Sequence, residues 1–329
     1  MRGTTSLAAL ALATALAVIV QAAPAAAQSD ILLQARSGSP AGDRFRVDSA
    51  GGVVALSTLG SGVIPASGSG DRMMWYPFKA AFRAGSTTGG AGTEWDDANT
   101  GFYSLAGGSR TIASGNYSFA MGNLATASGQ SAVALGDNVT ANAANAIALG
   151  QRASAGANAG TFTWADASTT TVFASNAAHS FQIRASGGVR LFTNSTATVG
   201  VSLTAGGSSW NVISDRNRKR DFLAVDGEDV LARIRNLPVT TWAYIDEAGS
   251  VRHMGPMAQD WHAAFGFSAD DTTINMSDLD GVNLAAVQAL ERRTADLQAQ
   301  LAERDARIQA LEARMARMEA LLAAQADQP

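Results

Sequence analysis

The chain of 329 residues contains no cysteine and only three histidines. Without cysteine it cannot form disulfides, so its stability must come from a large core, from repetition or from assembly with other chains. The scarcity of thiolate and imidazole ligands also argues against a transition-metal centre. We therefore expect no metal and no cofactor.

Charge is also scarce. The formal net charge of −4 is small for this length and does not indicate nucleic acid as a partner. Between Thr100 and Thr204 charged residues are few, and Gly, Ala, Ser, Thr and Asn dominate. Such a composition is typical of low-complexity or disordered segments. The repeats described below argue against disorder.

Long apolar runs are absent except near the start, where Leu7 to Val20 follow Arg2 and precede Ala25-Ala26-Ala27. This is the layout of a secretory signal peptide with a small-residue cleavage pattern. The run is short for a membrane span, which needs about 20 apolar residues. We expect residues 1–27 to be a cleaved signal peptide, and the protein to be secreted or exposed at the cell surface without a transmembrane anchor.

Residues 28–100 are expected to be β-rich, because Ile31 to Phe82 alternate apolar and polar side chains in short runs such as Arg44 to Val47 and Gly52 to Leu56. Clusters of Gly, Ser and Pro separate these runs, so they predict short strands. Met73 to Phe78 form the densest aromatic patch before the repeats. The patch could be a sugar-binding platform or a plug that closes the end of a β-structure, and we favour the plug.

A repeat begins after this segment. Four related segments follow one another at steps of 14 residues: Ser104 to Gly108, Ser118 to Gly122, Ala132 to Gly136 and Ala146 to Gly150. A short fixed period indicates stacked units that bury their apolar faces against their neighbours. Alanine fits where backbones approach closely, and glycine supplies turn conformations that other residues avoid. The pattern predicts a tightly wound β-coil with a thin core.

These units, which read Ser/Ala-apolar-Ala-x-Gly, resemble the head repeats of trimeric autotransporter adhesins. The resemblance runs from about Gly101 to Ala157, within an expected repeat domain of residues 101–160, and implies a left-handed parallel β-roll packed as a trimer. Residues 161–209 then carry three further apolar runs, and these predict a β-rich neck. The runs are Thr169 to Phe173, Ser180 to Arg184 and Gly188 to Phe192.

The segment Ile213 to Arg220 separates the charge-poor part of the chain from a charged, helical part. It holds the hydroxyl of Ser214 and the amine of Lys219, five residues apart. A lysine can activate a serine only when the amine is neutral, which burial or nearby like charge favours. This spacing separates the two side chains on either a strand or a helix. If they act together, a turn lies between them, or the lysine serves a serine of another subunit.

From the spacing alone, a solvated basic turn is the simpler interpretation of this segment. The surrounding sequence favours a different one. Three blocks occur in order: Ser214 to Lys219, Met254 to Asp260, and Asp280 to Leu284 leading into a heptad helix. Together, from about Trp210 to Leu301, they resemble the intramolecular chaperone domain of endosialidases and other phage tail-spike and tail-fibre proteins.

In that family the domain trimerises, guides folding of the β-rich fibre ahead of it and then releases itself. The resemblance implies that Ser214 is the serine at the cleavage site, that Lys219 is its dyad partner and that the cut falls between Ile213 and Ser214. The family often continues with Glu and Asn after the lysine, whereas Arg220 and Asp221 stand here. This departure bears on the efficiency of cleavage rather than on the dyad.

Other polar residues nearby are weaker candidates for a functional role. Asp215 and His253 are candidates for supporting the dyad, although a lone histidine at a strand edge more often has a structural role. His262 stands beside Trp261 in an amphipathic segment, which favours packing. Asp226 is followed by further acidic residues and an apolar run, and this pattern predicts the start of a helix.

Residues 286–325 have a heptad pattern in which most seam positions are apolar. A coiled coil is expected, and the alternative is an amphipathic helix packed on its own domain. The seam does not fix the number of chains, but a trimer agrees with both resemblances. The a positions are Val287, Thr294, Leu301, Ile308, Met315 and Leu322, and the d positions are Leu290, Leu297, Arg304, Leu311, Met318 and Gln325.

The expected fold is a mainly β fibre, a trimeric parallel β-roll of 14-residue repeats. An α+β chaperone domain in residues 210–285 and a C-terminal coiled-coil helix in residues 286–325 follow it. The expected function is that of an exported homotrimeric fibre or adhesin whose chaperone domain drives trimerisation and folding. The same domain then releases itself at Ser214 as a single-turnover Ser-Lys peptidase.

Two alternatives stay open. In the first, the protein is a structural surface adhesin that does not cleave itself, and the same domain only trimerises. A cell-surface or glycan receptor is a candidate partner of the fibre, and the sequence does not identify it. In the second it is a glycan-processing enzyme, because endosialidases carry such a chaperone behind a catalytic body. Glu94, Asp96 and Asp97 do not form a convincing pair of catalytic carboxylates, which argues against the second alternative.

Overall fold

A computed structural model describes residues 31–37, 42–247, 249–267 and 270–326. The expected signal peptide, residues 1–27, lies outside the described residues. The described chain is rich in strands and ends in a long helix, as the sequence predicted. It forms two compact units, the first of residues 31–189 with 203–209 and the second of residues 190–202 with 210–326.

The first unit begins with a three-stranded antiparallel sheet of β1 (Ile31–Ser37), β2 (Gly42–Asp48) and β3 (Val53–Ala55). The Asp48 carboxylate closes the turn between β2 and β3 by accepting hydrogen bonds from the backbone of Ala50 and Gly52. The short strands predicted for this region are confirmed.

β4 (Asp71–Tyr76) and β5 (Ala81–Ser86) are antiparallel and are joined by a 3₁₀ turn at Pro77–Lys79. β4 is the edge strand of an eight-stranded sheet, and its Met74 and Tyr76 side chains are buried. The aromatic patch predicted as a plug therefore lies in this edge strand and in the turn after it.

In the repeats, each of the four units contributes one longer strand, and the last three units also contribute a shorter one. In chain order these are β6 (Leu105–Ser109), β7 (Phe119–Asn123), β8 (Thr126–Ala127), β9 (Val133–Asp137), β10 (Thr140–Ala141), β11 (Ile147–Gln151) and β12 (Ala153–Ser154). The longer strands pair in parallel with a 14-residue step, so that Phe119 lies beside Val133 and Val133 beside Ile147. The shorter strands stack with the same step in a second sheet.

The residue types at fixed positions follow from this stacking. Ala120, Ala134 and Ala148 are fully buried in the core of the repeats. Gly122 has a φ of 123°, and a Cβ there would lie 2.1 Å from the carbonyl oxygen of Gly136. Because the buried side chains are small, each repeat buries little apolar surface on its own.

The two sheets continue past the repeats through β13 (Phe162–Ala165), β14 (Phe173–Ala174) and β15 (Phe181–Arg184). Their strand orders are β15-β13-β11-β9-β7-β6-β5-β4 and β14-β12-β10-β8. The predicted strand from Thr169 was wrong in its first part, because only Phe173 of that run is in a strand. The Thr169 hydroxyl accepts a hydrogen bond from the backbone of Thr171, and such local bonds compete with strand pairing.

The second unit has a small sheet of β16 (Val189–Phe192), β17 (Gly200–Leu203) and β18 (Asn211–Val212), in that order. A 3₁₀ turn at Arg216–Arg218 follows. The remaining elements are α1 (Gly227–Asn236), β19 (Thr240–Trp242), β20 (His253–Gly255), α2 (Ala258–Phe265) and α3 (Met276–Ala326). The Asp226 side chain caps α1 by accepting from the backbone of Glu228 and Asp229, so the predicted helix start is confirmed.

A compact apolar core joins the helices of the second unit. Val230 of α1, Trp261 of α2, and Val282 and Ala286 of α3 are its buried residues. Beyond this core Arg293 pairs with Glu228 of α1, and all residues of α3 from 290 to 323 are exposed. This finding argues against the amphipathic helix packed on its own domain.

Candidate functional site

The chain around Ser214 leaves a sheet and enters a tight turn. β18 ends at Val212, and the backbone N–H of Ile213 donates to the carbonyl oxygen of Gly200 at 3.3 Å. Ile213 is half-buried and Ser214 is exposed. The residue before the serine is therefore held against β17 while the serine itself faces solvent.

The turn after Ser214 forms because its polar side chains satisfy its own backbone. Asp215 accepts a hydrogen bond from the backbone N–H of Asn217 at 2.9 Å, and the N–H of Lys219 donates to the carbonyl oxygen of Arg216 at 3.2 Å. Asp and Asn favour such local bonds over regular strands. The result is a single 3₁₀ turn that brings Lys219 back towards the serine.

The Lys219 amine lies 2.7 Å from the Ser214 hydroxyl oxygen. Of the two arrangements that the sequence left open, the structure has the turn within one chain. At this distance a neutral lysine can take the serine proton directly, as a general base must. Both residues are exposed.

The carboxylates beside the dyad pair with arginines. Asp215 lies 3.3 Å from Arg218, and Asp221 lies 3.3 Å from Arg220. Within the described part of the chain, neither carboxylate forms an ion pair with Lys219. This matters because a carboxylate paired with a lysine amine favours the charged form of the amine, and the charged form cannot act as a base.

A cavity of about 360 Å³ lies beside the residues that flank Ser214. It is open to solvent, so water can reach the peptide bond before the serine. Its lining comes from the β16–β17–β18 sheet, the β16–β17 loop and the turn: Arg190, Phe192, Ala197, Val201, Ser202, Ile213, Asp215 and Arg218.

One contact at this site could not be predicted from the sequence. Arg218 donates to the backbone carbonyl of Thr198 at 3.3 Å, and Thr198 lies in the loop between β16 and β17. The two residues are 20 positions apart, and no local pattern links them.

The two candidate supports of the dyad have other partners. Asp215 caps the turn and pairs with Arg218. His253 lies on β20, with Nε2 2.9 Å from a Glu247 carboxylate oxygen and its ring 4.7 Å from the Trp242 ring centre. Among the described contacts of His253, neither Ser214 nor Lys219 appears. The role of Glu247 could not be read from its sequence position.

The acidic residues weighed for glycan chemistry are engaged in the fold of the first unit. Asp97 accepts from the Tyr76 hydroxyl at 2.7 Å and pairs with Lys79 at 2.9 Å, and the Tyr76 hydrogen bond is the main cause that lowers the pKa of Asp97. Burial and this contact raise the pKa of Tyr76 to about 12. Glu94 is buried and lies 3.8 Å from Arg110.

The described residues contain no group of three or more acidic or histidine side chains arranged to hold a metal ion. None of the helices in the described ranges combines the length and the apolar character that crossing a bilayer requires.

Comparison with known proteins identifies relatives of two parts of the chain. Residues 214–268 match the peptidase-family model described as chaperone of endosialidase, and this match begins at Ser214. Residues 100–125 and 127–153 match two copies of the YadA head domain repeat. No curated protein and no solved structure matches the chain. The two matches confirm both resemblances and support a trimeric adhesin or fibre protein with an intramolecular chaperone.

Proposed function

We propose that this is an exported homotrimeric fibre or adhesin-like protein whose C-terminal chaperone domain assembles three chains and then cuts itself off. The cut falls between Ile213 and Ser214. The observation that carries the proposal is the 2.7 Å contact between Lys219 and Ser214, at the first residue of the part that matches the chaperone of endosialidase.

The surface of the repeats supports assembly into trimers. The outer face of the eight-stranded sheet carries two rows of apolar side chains at equivalent positions, whereas the residues between the rows are buried: three alanines and Thr163. Burying one large apolar side chain contributes about 1.5–3 kcal/mol. Packing three chains along these rows adds the core that each chain lacks. The rows are Phe119, Val133, Ile147 and Phe162, and Met121, Leu135, Leu149 and Trp164.

The seam of α3 supports the same assembly. Leu297, Leu301 and Ile308 are 59%, 57% and 51% exposed in the single chain. A row of exposed aliphatic side chains at heptad spacing is the usual contact surface of a coiled coil. Three α3 helices packed along this seam bring three chaperone domains together.

A stacked parallel β-structure has reason to need such a chaperone. Its chains have exposed edges and little core, so they can pair out of register or aggregate before they assemble. A coiled coil forms from local contacts and aligns the three chains. Removing the chaperone afterwards leaves an assembly that unfolds slowly and cannot readily be rebuilt, which is kinetic stability.

The chemistry uses groups already in place. Neutral Lys219 takes the proton from the Ser214 hydroxyl, and the oxygen attacks the carbonyl carbon of Ile213. The Ile213–Ser214 C–N bond breaks, and Lys219 returns the proton to the leaving amine. Water then hydrolyses the ester between Ile213 and the serine side chain. The products are an Ile213 carboxylate and a new amino terminus at Ser214.

Assembly is expected to switch this reaction on. Burial favours the neutral form of a lysine, and both dyad residues are exposed in the single chain. Trp210, Phe222 and Leu223 near the site are also exposed, at 52%, 55% and 89%. A neighbouring subunit that covers these apolar side chains would also cover the dyad.

The test compares the wild-type protein with Ser214→Ala and Lys219→Arg by gel electrophoresis and light scattering. We expect the wild type to split in two and both variants to remain uncut trimers, because arginine cannot act as a base. Ser209→Ala, which changes an exposed serine five residues upstream, should cut normally. An uncut wild-type trimer would favour the non-cleaving adhesin instead.

A further inference from the structure

We infer that Arg218 is a positioning residue for the dyad, and that it makes cleavage depend on folding of the β16–β17 hairpin ahead of the cut. The inference rests on the proposed self-cleavage and adds a condition to it. Under this condition, the chaperone is released only from a chain whose segment before Ser214 has folded.

The Arg218 guanidinium bridges the turn and the hairpin. Its Nε lies 3.3 Å from a carboxylate oxygen of Asp215, and its Nη1 donates to the carbonyl oxygen of Thr198 at 3.3 Å. Asp215 in turn caps the turn between Ser214 and Lys219. One side chain therefore connects the hairpin with the turn that sets the dyad distance.

The hairpin presents a fixed carbonyl to this arginine. Asn194 Oδ1 accepts from the backbone N–H groups of Thr198 and Val199 at 2.9 and 3.0 Å. Asn194 Nδ2 donates to the hydroxyls of Thr196 and Thr198 at 2.8 and 2.6 Å. Four hydrogen bonds from a single amide fix the loop, so the Thr198 carbonyl holds its direction once the hairpin has folded.

The same hairpin also holds the other side of the bond to be cut. Gly200, two residues after Thr198, accepts from the backbone N–H of Ile213. The Ile213 side of the bond is thus held through Gly200. The turn that carries Lys219 is held through Thr198. A chain in which the hairpin is unfolded loses both contacts, and the attacking oxygen and its base lose their alignment with the Ile213 carbonyl.

Arginine suits this role because its planar guanidinium can reach two acceptors at once, which an ammonium on a flexible stem does less well. Arg218 also places a positive charge next to Lys219 in the chain, and this electrostatic effect has to be separated from positioning. Arg220 is the matched control, since it flanks Lys219 on the other side. It is 93% exposed and pairs with the adjacent Asp221.

The experiment follows the first-order rate of cleavage after cell-free synthesis of the full chain, between pH 6 and pH 10. Arg218→Ala, Arg218→Lys, Asn194→Ala and Arg220→Ala are compared with the wild type. We expect Arg218→Ala and Asn194→Ala to lower the high-pH plateau about tenfold or more, since a misplacement of about 1 Å can cost about 100-fold. Arg218→Lys should cleave with a plateau rate less than half that of the wild type. Arg220→Ala should leave the plateau unchanged.

Folding is checked by light scattering and thermal unfolding of each variant in the uncut Ser214→Ala background. If Arg218→Ala prevents trimerisation, the rate of Asn194→Ala tests the inference instead. This variant weakens the loop that presents the Thr198 carbonyl to Arg218. Plateau rates of Arg218→Ala and Asn194→Ala equal to that of Arg220→Ala would overturn the inference and leave the proposed self-cleavage intact. A wild-type chain that never cuts would overturn both.

Discussion

A Cβ on Gly122 would lie 2.1 Å from the carbonyl oxygen of Gly136, one repeat further along the stack. Gly122 also has a φ of 123°, which side chains other than hydrogen rarely adopt. Close backbone approach and backbone conformation therefore both require glycine there, and the same holds for Gly108 and Gly136.

The first prediction is that Gly122→Ala destabilises the repeats by at least about 2–3 kcal/mol, since it adds both strain and a backbone clash. Thermal unfolding in the uncut Ser214→Ala background measures the loss. Gly107→Ala is the control in the neighbouring strand, where a Cβ would meet the flexible end of Met121 at 3.2 Å. Equal melting temperatures for the two variants would contradict the stacking seen here.

The second prediction concerns Asp166, which follows β13. Its carboxylate accepts from the Ser168 hydroxyl and from the hydroxyl and backbone of Ser186, and these hydrogen bonds hold the pKa of Asp166 well below its usual range. A lowered pKa in the folded state stabilises above the unfolded pKa of about 3.9, and the contribution is lost as the pH falls below that value.

Replacing this carboxylate should therefore change how stability depends on pH. Asp166→Asn should lower the melting temperature at pH 7 and flatten its decline between pH 4 and pH 2. Asp305→Asn, at an exposed position of α3, is the control. If the melting temperature of Asp166→Asn declines between pH 4 and pH 2 as steeply as that of the wild type, other groups cause the acid sensitivity.

The third prediction tests the seam of α3. Ile308→Asp puts a charge at an a position and should abolish the trimer, because the seam must exclude water to associate. Light scattering measures the mass. Gln309→Asp changes the adjacent residue outside the seam and should leave a trimer, and a trimeric Ile308→Asp protein would show that α3 does not hold the chains together.

The fourth prediction tests whether the dyad acts within one chain. Ser214→Ala chains have only the lysine, and Lys219→Arg chains have only the serine. If Ser214 and Lys219 of the same chain react, as their contact suggests, co-expressed mixtures of the two should remain uncut. A fragment from the Lys219→Arg chain in such mixtures would show that the lysine serves another subunit.

The stacked repeats could be predicted from sequence because each unit has the same neighbours 14 residues away, so the same residue types recur at the same positions. The long helix could be predicted for a similar reason, since its apolar residues recur at heptad spacing. Both features are periodic, so they can be recognised in the sequence without knowledge of the fold.

The geometry of the cut site was not readable in this way. The spacing of Ser214 and Lys219 allowed a turn or a second chain, and the Asp215 cap that forms the turn within one chain could not be predicted from the spacing. The contact of Arg218 with Thr198 joins segments that the sequence places in separate domains. The run Thr169–Phe173 was misread because hydroxyl–backbone bonds, which propensity ignores, outweighed its β-branched composition.

The amino-terminal sequence of the smaller fragment of the wild-type protein tests the central claim most directly. The account predicts that it begins Ser214-Asp215-Arg216, that the larger fragment ends at Ile213, and that Ser214→Ala yields neither fragment. A smaller fragment that begins at any other residue, or one that persists in Ser214→Ala, would contradict self-cleavage at this serine.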